Sequence, residues 1–251
     1  MTTRRDGSAP RYGLARILSK RGLCSRTQAA EWIRAGRVRV DGRIVLDPEH
    51  PVRPGIDRVD VDGAPTGVDR HYVVLNKPRG LVTTARDEHG RDTVYRCFDG
   101  SGLPWLAPVG RLDRASEGML LFSNDPAWAA AITDPQTGPD KVYHVQIDRI
   151  PDEGVLRTLV AGVQVDGERL AAVRATSLRH GVRNAWLELV LDEGRNRHIR
   201  RLLEAHGIGV LRLVRVAIGT LELGDLGKGQ WRALTRAETA SLAVPSDGRS
   251  D

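Results

Sequence analysis

Two cysteines in 251 residues, Cys24 and Cys97, cannot build a disulfide framework, and neither belongs to a CxxC pair that could hold zinc. The seven histidines are scattered without ligand spacing, so no metal is expected. No apolar run approaches the roughly 20 residues of a membrane span, and the N-terminus has no signal-peptide apolar core. A cytoplasmic chain with no membrane partner is expected. The chain also lacks a Gly-rich phosphate loop and a cofactor-lysine motif, which leaves no cofactor to expect. Low-complexity segments and short internal repeats are absent as well.

What is present is positive charge, unevenly spread. The net charge is +6 and the pI is about 9.8, which points to an acidic partner with nucleic acid as the default. Residues 1–43 hold eleven Lys/Arg against three Asp/Glu, a balance of +8, and the remainder holds 27 against 29. The basic excess therefore belongs to the N-terminal segment alone.

That segment reads as a compact unit. Leu14, Ile17 and Leu18 share a helix face that Gly22 closes. Ser25-Arg26-Thr27-Gln28 fits a capping box opening a second helix, which buries Ala29, Trp32 and Ile33 and ends at Gly36. Two alternating strands, 37–40 and 43–46, flank an Asp41-Gly42 type I′ turn, and a further strand covers 58–61. Arg16, Lys20, Arg21, Arg26, Arg34, Arg37, Arg39 and Arg43 are interleaved with these elements. Several cations on one face are what phosphate contact requires, and such a unit gives affinity with little base readout. The helix–helix–hairpin pattern resembles the alpha-L RNA-binding module.

Residues 62–70 have linker composition. The domains expected are a disordered tail at 1–10, the RNA-binding module at 11–65, a linker at 66–70, a second domain at 71–242 and a disordered tail at 243–251. The second domain opens with strand 73–75, an Asn76-Lys77-Pro78-Arg79-Gly80 turn and strand 81–84. Next comes Gly110-Arg111-Leu112-Asp113-Arg114-Ala115-Ser116-Glu117-Gly118, followed by the apolar run Met119–Phe122. That run reads as a buried strand, so Asp113 is held at the mouth of a core. By itself Asp113 could be an ordinary turn aspartate. Asp125-Pro126 starts a helix with Trp128, Ala129 and Ile132. In strand 141–147 alternation puts Tyr143, Val145 and Ile147 on one face. A helix at 155–161, segment 170–176 and strand 185–191 follow. Four arginines crowd Asp192–Gly207, in which Ile199, Leu202 and Leu203 make the buried face of a short helix.

Three of these stretches resemble the signatures of the pseudouridine synthases that modify ribosomal RNA. They are the Lys-Pro-x-Gly turn, the Asp113 loop and the Glu-Gly-Arg-Asn-Arg-x-Ile-Arg-Arg-Leu run at 193–202. Residues 211–219 and 229–235 extend the likeness to about residues 11–240. Ser116 stands where the family usually has Thr, and Met119 where it usually has Leu. The fold implied is α+β: a small alpha-L module of two helices plus a hairpin, then a mixed, largely antiparallel-sheet catalytic domain. The reaction implied breaks the ribose–N1 bond of uridine, rotates the uracil and rejoins it through C5. Within the family the Arg-Asn-Arg run is most like the branch acting on large-subunit (23S) rRNA, with a 16S-specific relative as the near alternative.

The resemblance implies Asp113 as the essential carboxylate and Arg200 as the guanidinium paired with it, which would favour the charged carboxylate. It implies Tyr143 as the ring that stacks on the base and Leu213 as an apolar wall opposite. Lys77 is expected as support or RNA contact, with Arg111, Arg195 and Arg197 at the substrate and the N-terminal cations on flanking RNA. The target uridine must be unpaired or flipped. The partner expected is ribosomal RNA or an assembling subunit, and the chain is expected to be monomeric. Two other classes remain. One is a non-catalytic RNA-binding or ribosome-assembly factor. The other is a glycosidase, which would need a second carboxylate, and Glu117 is the one acid near Asp113.

Overall fold

The computed structural model describes residues 10–63, 69–85 and 87–243. The expected tails, apart from Pro10 and Ala243, lie outside the described residues, as do 66–68 of the expected linker. Two compact units divide the chain: Met1–His71 with Leu103–Ala107 and Asn124–Pro126, and Tyr72–Gly102 with Pro108–Ser123 and Ala127–Asp251.

The first unit contains β1 (Tyr12–Gly13), α1 (Leu14–Lys20), α2 (Arg26–Arg34), β2 (Val38–Val40), β3 (Arg43–Ile44), β4 (Pro51–Val52) and β5 (Val59–Val61). Its core joins Leu14, Ile17 and Leu18 of α1 to Ala29 and Ile33 of α2 and to Val38, Val40 and Val59. Ser25 Oγ caps α2 by accepting from Gln28 N at 3.1 Å; no return bond from the Gln28 side chain is formed among the described residues. Asp41 (φ 49°) and Gly42 (φ 79°) are both left-handed, as a type I′ turn demands, and strand β3 after them stops at Ile44. Trp32 is half-buried, with the Arg37 guanidinium over its ring.

The second domain follows with β6 (Tyr72–Lys77), β7 (Ala107–Val109), β8 (Glu117–Ser123), α3 (Pro126–Thr133), β9 (Lys141–Ile147), α4 (Glu153–Ala161), β10 (Val163–Val165), β11 (Glu168–Leu170), β12 (Arg174–His180), β13 (Ala185–Leu191), α5 (His198–Ala205), β14 (Val210–Ile218), β15 (Leu221–Glu222), β16 (Trp231–Ala233) and α6 (Arg236–Ala243). The main sheet runs β12-β13-β9-β14-β8-β6-β16, with β15 beside β14 and β7 beside β8. Its β14–β8 pair is parallel, whereas β9–β14, β13–β9 and β6–β8 are antiparallel. This is the mixed, largely antiparallel α+β architecture expected.

Strand β8 is buried along its whole length. Met119, Leu120, Leu121 and Phe122 are each 0% exposed, so each contributes about 1.5–3 kcal/mol of apolar burial. Met119 and Leu121 pack with Trp128 and Ile132 of α3 and Leu242 of α6, while Phe122 meets the Phe98 ring edge-on at 4.8 Å. The strand's N-terminal end, and the loop before it, are thereby anchored to the core. Gly118 is required there: with φ 99°, a Cβ would lie 2.3 Å from the Arg215 carbonyl oxygen across the parallel pair.

Residues 81–84 correct one expectation. They form no strand, and Val82 makes a single isolated bridge to Thr93. Thr83 is diverted to the Asp113 loop, where its Oγ1 donates to the Leu112 carbonyl at 2.7 Å. Helix α6 was not anticipated, although Thr235 and Glu238 form a reciprocal capping box (3.2 and 2.8 Å) that its sequence spells out.

Candidate active site

Lys77 is the last residue of β6, opposite Gly118, and is fully buried. Its ammonium donates to three carbonyls: Pro78 at 3.1 Å, Asp113 at 3.2 Å and Ser116 at 2.9 Å. Gly80 N donates to Arg114 O at 2.8 Å, and Ser116 N closes a turn on Asp113 O at 2.9 Å. The Lys-Pro-x-Gly turn is thus the cradle of the Asp113 loop. With its three protons on backbone oxygens, the Lys77 ammonium ties the turn to the Asp113 loop. Burial is the main cause lowering its pKa to about 8, with Asp113, Cys97 and Glu117 opposing the shift.

A cavity of about 1000 Å³ opens beside this loop. Asp113, Tyr143 and Leu213 all line it, although they come from three separate parts of the chain. Tyr143 is on the buried face of β9, 8% exposed, and Leu213 lies opposite Val145 on β14. Arg111, Arg195 and Arg197 also line the cavity and are solvent-exposed. Arg195 is braced by Glu193 at 2.7 Å and by the Arg169 carbonyl at 2.9 Å. Arg197 adopts a left-handed conformation (φ 50°) at the N-cap of α5, which marks a backbone constrained at the cavity edge. Half-buried Asp113 also borders a second concavity of about 350 Å³, lined by Thr83, Thr84, Asp87 and Arg91.

The expected Arg200–Asp113 ion pair is not formed. The Arg200 Nη2 instead donates to the Ala115 carbonyl at 3.3 Å, outside the cavity lining, and its buried Nε has no partner among the described residues. Burial, first, and the neighbouring Arg197 and Arg79 lower its pKa, against the favourable charge of Asp113. The guanidinium therefore acts on the Asp113 loop by contact. The neighbouring Arg201 ties α5 to the β10–β11 hairpin through Glu168 (2.6 Å) and Val165 O (3.1 Å).

Glu117 is no partner for a two-carboxylate site. It is buried, does not line the cavity, and is held by Arg212 (3.1 Å to each oxygen) and Lys228 (2.7 Å). Burial pushes its pKa up, but those two cations outweigh burial and hold the carboxyl below its usual value. Ser116, His198 and Arg215 also line the cavity, and the sequence assigns none of them a site role. All are at least nine-tenths buried. His198 Nδ1 lies 3.7 Å from Glu193, and burial lowers its pKa. In β14, period-two alternation puts Arg215 on the face of Leu213, a signal that could have placed it in the lining.

In the first unit Arg16, Lys20, Arg21, Arg26, Arg34, Arg37 and Arg43 are exposed, and Arg39 is half-buried. Arg16 and Lys20 converge over the Tyr12 ring, at 4.9 and 5.1 Å. Arg37 and Arg39 meet at Asp62, through its carbonyl and carboxylate respectively. Arg21 is partly occupied by the Val59 carbonyl.

Residues 71–205 match the RNA pseudouridylate synthase family and residues 13–56 match the S4 domain. The chain belongs to the RNA pseudouridylate synthase family, enzymes that isomerise uridine to pseudouridine in RNA, and carries an S4 RNA-binding domain before the catalytic one. It is 34% identical over 240 residues to the ribosomal large subunit pseudouridine synthase B of Bacillus subtilis (strain 168), covering 93% of this chain and 96% of that one. An RNA pseudouridine synthase of Aquifex aeolicus (strain VF5) is 35% identical over 230 residues, 90% of this chain and 92% of that protein. A crystal structure of a pseudouridylate synthase superposes with a TM-score of 0.65 at 28% identity, over 92% of this chain and 99% of that one.

Proposed function

We propose that this enzyme makes pseudouridine in large-subunit (23S) ribosomal RNA, working in the cytoplasm as a monomer. Asp113 is the essential carboxylate, Tyr143 stacks on the flipped uracil, and Leu213 walls its other side. Arg200 positions the Asp113 loop through the Ala115 carbonyl, and Arg111, Arg195 and Arg197 hold phosphates at the cavity mouth. The module at 11–65 grips flanking RNA through Arg16, Lys20, Arg21, Arg26, Arg37 and Arg39, and residues 66–70 link it to the catalytic domain at 71–242.

One observation carries this reading: a carboxylate, an aromatic ring and an apolar side chain, distant in sequence, line one cavity edged by exposed arginines. The reaction breaks the N1–C1′ bond, turns the uracil, forms the C5–C1′ bond and moves the C5 proton to N1. A tyrosine hydroxyl beside the base can carry that proton. The similarity to the B. subtilis large-subunit enzyme supports the choice of 23S RNA.

The test is pseudouridine mapping of rRNA from cells with and without the gene. A 23S site lost on deletion, restored by the wild-type gene and not by Asp113→Ala, is expected. Loss confined to 16S RNA overturns the target, and restoration by Asp113→Ala overturns the chemistry.

A further inference from the structure

Arg215 is a buried charge with an unused donor. It is 6% exposed and lines the cavity with Asp113 and Tyr143. Its Nε donates to the Met119 carbonyl at 2.8 Å, while its Nη2 is buried without a hydrogen-bond partner and it makes no ion pair among the described residues. A guanidinium cannot shed its proton to escape this position. Taking such a charge out of water costs several kcal/mol unless something compensates it. Ser116 Oγ, in the same lining and 1% exposed, is likewise buried without a partner among the described residues. The wall of the cavity is therefore polar and incomplete.

The place of Arg215 in the sheet says what completes it. Arg215 is the direct cross-strand partner of Tyr143 on the β9–β14 pair. Directly opposed residues have Cβ atoms about 5 Å apart. A base stacked on the Tyr143 ring thus presents its edge to the guanidinium, while the hydrated phosphates stay at the exposed arginines of the mouth. Arginine carries donors only, so it complements an acceptor on that edge. Uracil offers two, O2 and O4.

We infer that Arg215 donates through Nη2 to a carbonyl oxygen of the flipped uracil, making it a substrate-reading residue of this site. The inference rests on the proposed reading of Tyr143 as the stacking ring. Whichever way the N1–C1′ bond is weakened, by attack on the ring or by its departure, electron density moves from the breaking or forming bond onto O2 and O4. A fixed cation at one of those oxygens therefore binds the transition state more tightly than the ground state, and its effect falls on rate more than on affinity.

The experiment uses the full chain and a short RNA carrying the target uridine found by rRNA mapping, made with uridine, 2-thiouridine or 4-thiouridine at that position. Sulfur is a weak acceptor, so the wild-type enzyme is expected to slow about tenfold on one of the two thio substrates. Arg215→Met and Arg215→Lys are expected to lose about 100-fold in single-turnover rate on uridine, with RNA affinity within about threefold. The thio penalty should disappear in both. Arg215→Lys keeps the bulk and charge, so it carries the comparison if the methionine variant unfolds, with thermal melting as the check. A thio penalty as large in Arg215→Lys as in the wild type, or no penalty from either sulfur in the wild type, overturns the inference. A wild-type enzyme silent on unmodified rRNA overturns the functional reading itself, a separate result.

Discussion

Replacing Lys77 by methionine keeps the buried aliphatic stem and removes only the ammonium, which isolates what the charge does. Three carbonyls, at 2.9–3.2 Å, lose their donor at once. Hydrogen bonds to a charged group are worth about 1.5–3 kcal/mol each, so the gross loss could reach several kcal/mol. Against it stands the cost of burying the ammonium. With the Lys77 pKa lowered from 10.5 to about 8, the charged form costs about 3 kcal/mol more in the fold than in water. The two largely offset, and a net loss of roughly 1–4 kcal/mol remains. At about 2–4 °C per kcal/mol for a domain of this size, the melting midpoint should fall by about 2–16 °C. Activity should suffer more than stability. Two of the lost bonds hold the Asp113 loop, and an error of about 1 Å in a catalytic group can cost about 100-fold in rate.

The sign of the pH dependence separates this account from simple packing. Below pH 8, Lys77 is protonated in both the folded and unfolded chain, and the full burial cost is present. Between pH 8 and 10.5 the unfolded chain keeps a proton that the folded chain releases, so the fold gains stability as pH rises. The stability of the wild type relative to Lys77→Met should therefore increase by about 3 kcal/mol across that window. Denaturant melts of both proteins at pH 7.5, 9 and 10.5, with single-turnover assays at pH 7.5, provide the readout. A flat difference across the three pH values, or a methionine variant of full activity, would refute the reasoning.

Asp113→Asn should abolish tritium release from 5-tritiated uridine RNA while RNA affinity stays within about threefold, because the amide keeps the shape and removes the charge; measurable turnover would sink the assignment. Glu117→Gln should cost about 1–3 kcal/mol near neutral pH by weakening a buried carboxylate held by Arg212 and Lys228. Since the folded pKa of Glu117 is lowered, that stability is present above its usual value of 4.5 and fades as the pH falls through the folded value, so wild-type and variant melts should converge in acid. Gly118→Ala should cost about 3 kcal/mol or more, since φ 99° and a 2.3 Å approach to the Arg215 carbonyl leave no room for a methyl group; unchanged denaturant melts would contradict the close approach of β8 and β14.

Much of the architecture was written locally. The Ser25 cap, the Asp41-Gly42 turn, the Asp125-Pro126 helix start and the alternation that buries Tyr143 rest on contacts only a few residues apart, where backbone sterics decide. Two local signals of this kind were legible without being used: the Thr235–Glu238 capping box and the Asp166-Gly167 turn that joins β10 to β11. The uninterrupted apolar run of β8 likewise told that Asp113 is tethered to a core. Long-range partners were another matter. Lys77 was known to sit in a turn, but only the fold brought the Asp113 and Ser116 carbonyls onto its ammonium and so turned a surface-type residue into a buried strut. Arg200 was expected against Asp113 and instead grips the Ala115 carbonyl, a contact across 85 residues that no spacing encodes. Alternation along β14 puts Arg215 on the face of Leu213, but only the pairing of β14 with β8 and β9 buries it opposite Tyr143. The sequence by itself determined the elements, the RNA-seeking charge of the N-terminus and the residue types available for chemistry. The tertiary structure decided which charges are exposed, which are neutralised and which point of the cavity each one serves, since burial and distance are properties of the folded chain alone.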